Sequence, residues 1–248
     1  MVGSYDVENR LITQGQDRFA YGGDNKRVWK LTGYWALYQN SGTYNGTDEV
    51  YFYGVDGKKL GTYRTYWDGV QLSHSVLSTN VYFGGKLIQS GGKTVVLDRL
   101  GSVRATSTGE QLRYYPYGED RPGNPSNPTG REKFATYYRD PSGLDYADQR
   151  YYASNTGRFL TPDPYRASGG PADPGSWNRY AYVQGDPVNF HDPRGLLAIW
   201  PHDDPGGGRR WFSRWRDDRA RSFLSTFRSR TAPNTGTGIA NRWRWRCS

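Results

Sequence analysis

Cysteine is almost missing from this chain. The one present among 248 residues, Cys247, excludes an intrachain disulfide framework and a cysteine-based zinc site. It has no partner pattern that would make it a nucleophile. Histidine is nearly as scarce, with His74, His191 and His202 only. His202-Asp203-Asp204 offers oxygen and nitrogen ligands, but nothing further stands at ligand spacing, and the expected metal is none. Gly206-Gly207-Gly208 lacks the following Lys-Ser/Thr of a phosphate cradle and reads as a linker, so the expected cofactor is none. Long apolar runs are missing too. The longest, Leu196 to Trp200, is far too short to span a membrane as a helix. Met1-Val2-Gly3-Ser4-Tyr5-Asp6 has neither the basic nor the apolar region of a signal peptide.

What is abundant is glycine, at 32 residues, and tyrosine, at 21. Both are poor helix formers, so a helix bundle is disfavoured. Many short strands joined by glycine turns fit this composition. Up to about residue 120 a loose unit recurs: aromatic residues, then Asp or Asn with Gly, a basic residue and Leu. Tyr5-Asp6-Val7-Glu8-Asn9-Arg10-Leu11, Tyr51 to Leu60 and Asp98 to Arg104 are instances, and Arg113 to Gly118 follows the third. Asp, Asn and Gly accept the positive φ of tight hairpin turns. Tyr and Val suit a pleated, half-buried surface. One such unit cannot bury its own face, so units must stack or curl. Glu119 to Gly130 and Ala167 to Ser176 read as Pro/Gly loops.

Charge is unevenly spread. Residues 197–248 hold eleven Arg and four Asp, with neither Lys nor Glu, and so carry most of the formal +9. Five of the nine Trp and none of the Tyr are there. That asymmetry suggests two units with a border near Leu196, the second being a basic tip over 197–248. Between Arg209 and Arg230, pairs such as Trp211/Trp215 and Phe223/Phe227 have helical spacing. Arg242-Trp243-Arg244-Trp245-Arg246 alternates charge and indole. The tip is expected to be mostly irregular or short-helical. Nucleic acid or membrane would be contacted only through it.

Lys133 to Tyr152, Gly157-Arg158-Phe159-Leu160-Thr161-Pro162-Asp163-Pro164, and Asn178 to Val183 running into Asp186 to Leu196 carry a further signal. In this order they resemble the core of the rearrangement hotspot (RHS) and YD-repeat family. The resemblance covers roughly residues 5–196 and implies three units: 1–118 YD-repeat hairpins, 119–196 the core ending in Asp-Pro-x-Gly-Leu, and 197–248 a variable basic tip. It implies an all-β fold of stacked, spiralling YD hairpins, part of a hollow shell, with a core that plugs one end. It implies a variable tip beyond Asp-Pro-x-Gly-Leu, often a toxin. It also implies that the core cuts the chain just after that Leu, with two Asp residues in an aspartic-protease-like role.

Carried onto this sequence, the expected scissile bond is Leu196–Leu197. Asp163 and Asp192 are the catalytic pair, and Arg158 is a candidate to stabilise a carboxylate or an oxyanion. Two neighbouring carboxylates sharing a proton can act as base and acid toward water and a peptide carbonyl. The implied partners are the chain's own tip, further RHS shell segments or a secretion-system component. The implied location is secreted or cell-surface, in bacteria. Two other readings fit the residues: a non-catalytic adhesion or carbohydrate-binding β module with Tyr and Trp platforms, and a cationic tip active on membrane or nucleic acid. Asp before Pro is also a common turn starter, and that plain role competes with catalysis at both Asp163 and Asp192.

Overall fold

The hairpin turns set the architecture. A computed structural model describes residues 3–32, 47–67, 70–125, 130–164, 174–196 and 198. Between β1 (Gly3–Tyr5) and β2 (Leu11–Gln14), Asp6 N donates to Arg10 O and Asn9 N to Asp6 O, both at 3.0 Å. Asn9, fourth in this five-residue turn, has φ +60°. The same pair of bonds recurs at 22–26, 54–58, 98–102 and 140–144, with Asn25, Gly57, Gly101 and Gly143 in the fourth place at positive φ. Only Gly and Asn take that left-handed conformation readily, which is why the repeats read Asp/Asn with Gly. Aspartate side chains fasten the turns. Asp6 Oδ1 accepts from Glu8 N and Arg10 N, and Asp98 Oδ1 from Leu100 N and Ser102 N, each at 2.9 Å.

Ten strands follow one another as an antiparallel meander. After β1 and β2 come β3 (Asp17–Tyr21), β4 (Arg27–Thr32), β5 (Thr47–Tyr53), β6 (Lys59–Trp67), β7 (Leu72–Phe83), β8 (Lys86–Ser90), β9 (Lys93–Leu97) and β10 (Val103–Thr106). A second antiparallel sheet holds β11 (Tyr138–Arg139), β12 (Asp145–Ala147), β13 (Arg150–Ala153) and β14 (Arg158–Phe159). Helix among the described residues is limited to short 3-10 turns such as Phe134–Thr136 and Val183–Gly185. The expected all-β hairpin architecture is therefore what is found. The chain divides into two units, Met1–Gly206 and Gly207–Ser248, and the second lies outside the described residues.

Strand alternation puts two aromatic clusters on the two faces of the smaller sheet. On β13, Tyr151 joins Leu11, Phe19, Tyr51, Tyr138 and Tyr146. Its neighbour Tyr152 joins the other cluster with Phe134, Tyr137, Phe159 and Tyr182. The tyrosines are thus core, held by edge and tilted ring contacts such as Tyr51–Tyr138 at 5.7 Å and Tyr152–Tyr182 at 5.0 Å.

Charges are buried between the two sheets. Arg27, Lys30 and Asp140 are fully buried, with Arg27 Nη1 2.6 Å and Lys30 Nζ 3.2 Å from the Asp140 carboxylate. Five aromatic rings surround the Arg27 guanidinium, Tyr51 and Tyr146 with centroids at 4.5 Å. Burial alone would raise the Asp140 pKa, but Arg27 and Lys30 outweigh it and hold it below the ordinary value. Nearby, Glu132 meets Lys59 at 2.8 Å, Ser90 Oγ at 2.7 Å and Asn80 Nδ2 at 3.1 Å. Burial opposes its charge, yet these partners hold it down at about 2.

Candidate active site

β13 begins with Arg150, whose guanidinium organises the residues around it. Its Cζ lies 3.7 Å from the centre of the Phe159 ring, which supports the plane of the group. Nε donates to Gly195 O, and Nη1 donates to Arg179 O at 3.0 Å. Nη2 faces two carboxylates, Asp163 Oδ2 and Asp192 Oδ2, each at 3.6 Å. All three side chains are buried. Burial lowers the Arg150 pKa, with Asp192 and then Asp163 offsetting part of that loss. A guanidinium remains protonated despite such a shift.

Each aspartate is fixed by its own backbone. Asp163 follows β14 and is tied to the next segment by Asp163 N donating to Arg179 O at 3.0 Å and Arg179 Nη2 donating to Asp163 O. Asp192 opens a turn in which its Oδ1 accepts from Arg194 N at 3.2 Å and Leu196 N at 3.0 Å. That leaves Oδ2 to face Arg150. The buried Tyr137 hydroxyl donates to Asp192 O. Gly195 has φ +68°, and a Cβ there would lie 2.6 Å from Ala147 O. Only glycine lets the turn press against β12 and bring its carbonyl to Arg150. The local chemistry of Asp-Pro-x-Gly-Leu thus seats Leu196 beside the carboxylate pair.

An open cleft of about 790 Å³ reaches this point, with Arg150, Asp163, Arg179 and Leu196 in its wall. Its other side is made by hairpin turns, including Arg10 and Asn25, whose side chains bond at 3.1 Å. Among the described residues, the two carboxylates share the Arg150 guanidinium. Of the two, Asp163 lines the cleft, and neighbouring carboxylates can take and give a proton.

The structure brings Asp163, Asp192 and Leu196 together. Arg158 lies elsewhere: its side chain is exposed, and Nη2 is 3.5 Å from Asn178 Oδ1. Arg150 holds the place expected of it, and sequence reasoning passed it over. Its signal was weak, since an arginine opening a Tyr-rich strand looks like any surface strand residue. Leu197, the other side of the expected scissile bond, lies outside the described residues. So do Cys247, His202, the 209–230 pattern and the Arg-Trp end. Ala198 is described, and it packs against the Phe134–Tyr152 cluster. Among the described residues no helix is long and apolar enough to cross a membrane, and no group of His, Cys, Asp and Glu is suited to a metal.

No protein-family model matches the chain. It is 30% identical over 217 residues to the tRNA3(Ser)-specific nuclease WapA of Bacillus spizizenii, covering 77% of this chain and 8% of that protein. It is 39% identical over 61 residues to the toxin protein Tse5 of Pseudomonas aeruginosa, covering 25% of this chain and 4% of that protein. The fold is similar to a chain in the crystal structure of TcdB2-TccC3, with a TM-score of 0.54 at 20% identity over 78% of this chain and 10% of that one. The chain thus spans a small part of these relatives. They are relatives of the RHS toxin type, in keeping with the resemblance carried by residues 133–196.

Proposed function

We propose that this chain is the core and adjoining shell of an RHS-type polymorphic toxin, and that it cuts itself after Leu196 to free its C-terminal tip. One observation carries the reading: Asp163 and Asp192, far apart in sequence, converge on Arg150 next to Leu196. The chemistry needs no added group. One carboxylate takes a proton from water as the water oxygen bonds to the Leu196 carbonyl carbon. The other, protonated, gives its proton to the Leu197 nitrogen as the C–N bond breaks. The products are the Leu196 carboxyl and the Leu197 amine. The proton has crossed from one aspartate to the other, and the pair again holds one. Because the substrate is the enzyme's own chain, its positioning needs no separate binding step.

In this reading the basic segment 197–248 is cargo, further shell segments of a longer protein complete the enclosure, and delivery is to the outside of a bacterial cell. The test is the intact mass of the full chain beside Asp163→Asn and Asp192→Asn. Loss of 197–248 in the parent, with both variants whole, is the expected result. A single uncut mass in all three, from folded protein, would overturn self-cleavage and leave the shell reading standing.

A further inference from the structure

A second cavity, of about 170 Å³, lies behind the turn that carries Asp192. That is far above the ~10–15 Å³ needed to hold one water. Its walls are the hairpin turns at 56–58, 85–86 and 99–101 together with His191, Pro193 and Arg194. Every carboxylate in the lining already has a cation. Glu132 pairs with Lys59, Asp148 with Lys26, and Asp56 with Lys58 at 3.8 Å. Tyrosine hydroxyls in the lining are engaged as well: Tyr82 donates to Lys59 O at 3.0 Å and Tyr146 to Asp148 O at 2.5 Å. Lys86, Arg99 and Arg194 also line the cavity. Among the described residues none of the three forms an ion pair, and all are exposed at its edge. Three cations outside any ion pair therefore border one small cavity, although Arg99 Nη2 also donates to Val188 O and Arg194 acts at longer range on Asp148.

We propose that this cavity binds a phosphate-sized dianion, held by Arg99 and Arg194 with Lys86 as a third charge. Guanidinium forks suit the oxygens of phosphate, and lysine adds a point charge. Binding would tie the Asp192 turn to the β9–β10 turn, the two elements that supply the arginines. The site is independent of whether the chain cuts itself.

The experiment is titration of the full-length protein with inorganic phosphate, followed by calorimetry at constant ionic strength, with chloride as the competing anion. Arg99→Ala, Arg194→Ala and Lys86→Ala are compared with Arg18→Ala, an exposed arginine on β3 outside the cavity. One-to-one saturable binding is expected. Each arginine variant should weaken it about tenfold, a loss of about 1.4 kcal/mol, and Arg18→Ala should leave it unchanged. Circular dichroism of each variant confirms that the fold is retained. Heat that never saturates, equal displacement by chloride, or equal weakening in Arg18→Ala would each overturn the proposal.

Discussion

Asp-Pro-x-Gly-Leu occurs twice in this molecule, at 140–144 and at 192–196. In the first, both carboxylate oxygens of Asp140 go to Arg27 and Lys30, fully buried between the sheets. In the second, Asp192 Oδ1 secures its own turn and Oδ2 shares one arginine with Asp163 at an open cleft. Gly143 has open space about its Cα, whereas Gly195 is pressed against Ala147 O. The same five-residue pattern thus yields an anchor in one place and one half of a carboxylate pair in the other. What the carboxylate faces separates them. Two cations on one aspartate pin it in the charged form. Asp163 and Asp192 instead share the Arg150 guanidinium.

The largest effect should come from removing the anchor. Asp140→Ala leaves Arg27 and Lys30 buried without their shared anion, at a cost of about 3–5 kcal/mol. Urea unfolding would measure it, and Asp192→Ala should cost clearly less. If the two cost the same, the contrast fails.

The paired glycines sharpen the comparison. Gly143→Ala should cost about 1–2 kcal/mol, from the left-handed φ alone. Gly195→Ala carries that strain and in addition the clash with Ala147 O, about 1–3 kcal/mol more. It should also slow release of the tip, read from the intact mass over time. Equal unfolding midpoints for the two variants would contradict the packing seen at Gly195.

Acid should weaken the anchoring side. Asp140 and Glu132 both have folded pKa values below their ordinary ones, Glu132 at about 2 against 4.5. The unfolded chain therefore binds their protons more readily. Their contribution is complete above about pH 4.5 and is lost as pH falls toward 2. Asp145, raised by burial, works in the opposite direction. The slope of stability against pH between those limits should flatten in Glu132→Gln, and an unchanged slope would refute the assignment. The smallest effect belongs to Arg158→Ala. Exposed beside Asn178, it should alter neither cleavage nor the unfolding midpoint measurably.

Much of this was legible from residues alone. Asp6, Asn9, Gly57, Asp98 and Gly101 announced hairpin turns because few residue types tolerate positive φ, and that constraint is local. Tyr and Val around the turns announced strands because they suit a pleated, half-buried surface. Asp163 and Asp192 were legible through the motifs around them. Arg150 was not, because nothing in Gln149-Arg150-Tyr151-Tyr152 says which cation will be buried against which acid. Arg158 was the nearer guess by sequence, yet strand alternation turns it outward while Arg150 faces in.

Local stereochemistry is what the sequence determined by itself: the all-β class, the turn positions, the glycines that must be glycine, and the two aspartates that open turns. Tertiary structure decided which of two identical motifs became an anchor and which met a second carboxylate. The physical reason is that charge pairing depends on distance through space. Asp140 lies far along the chain from Arg27, and Asp163 from Asp192, and only tertiary packing brings each carboxylate to its cation.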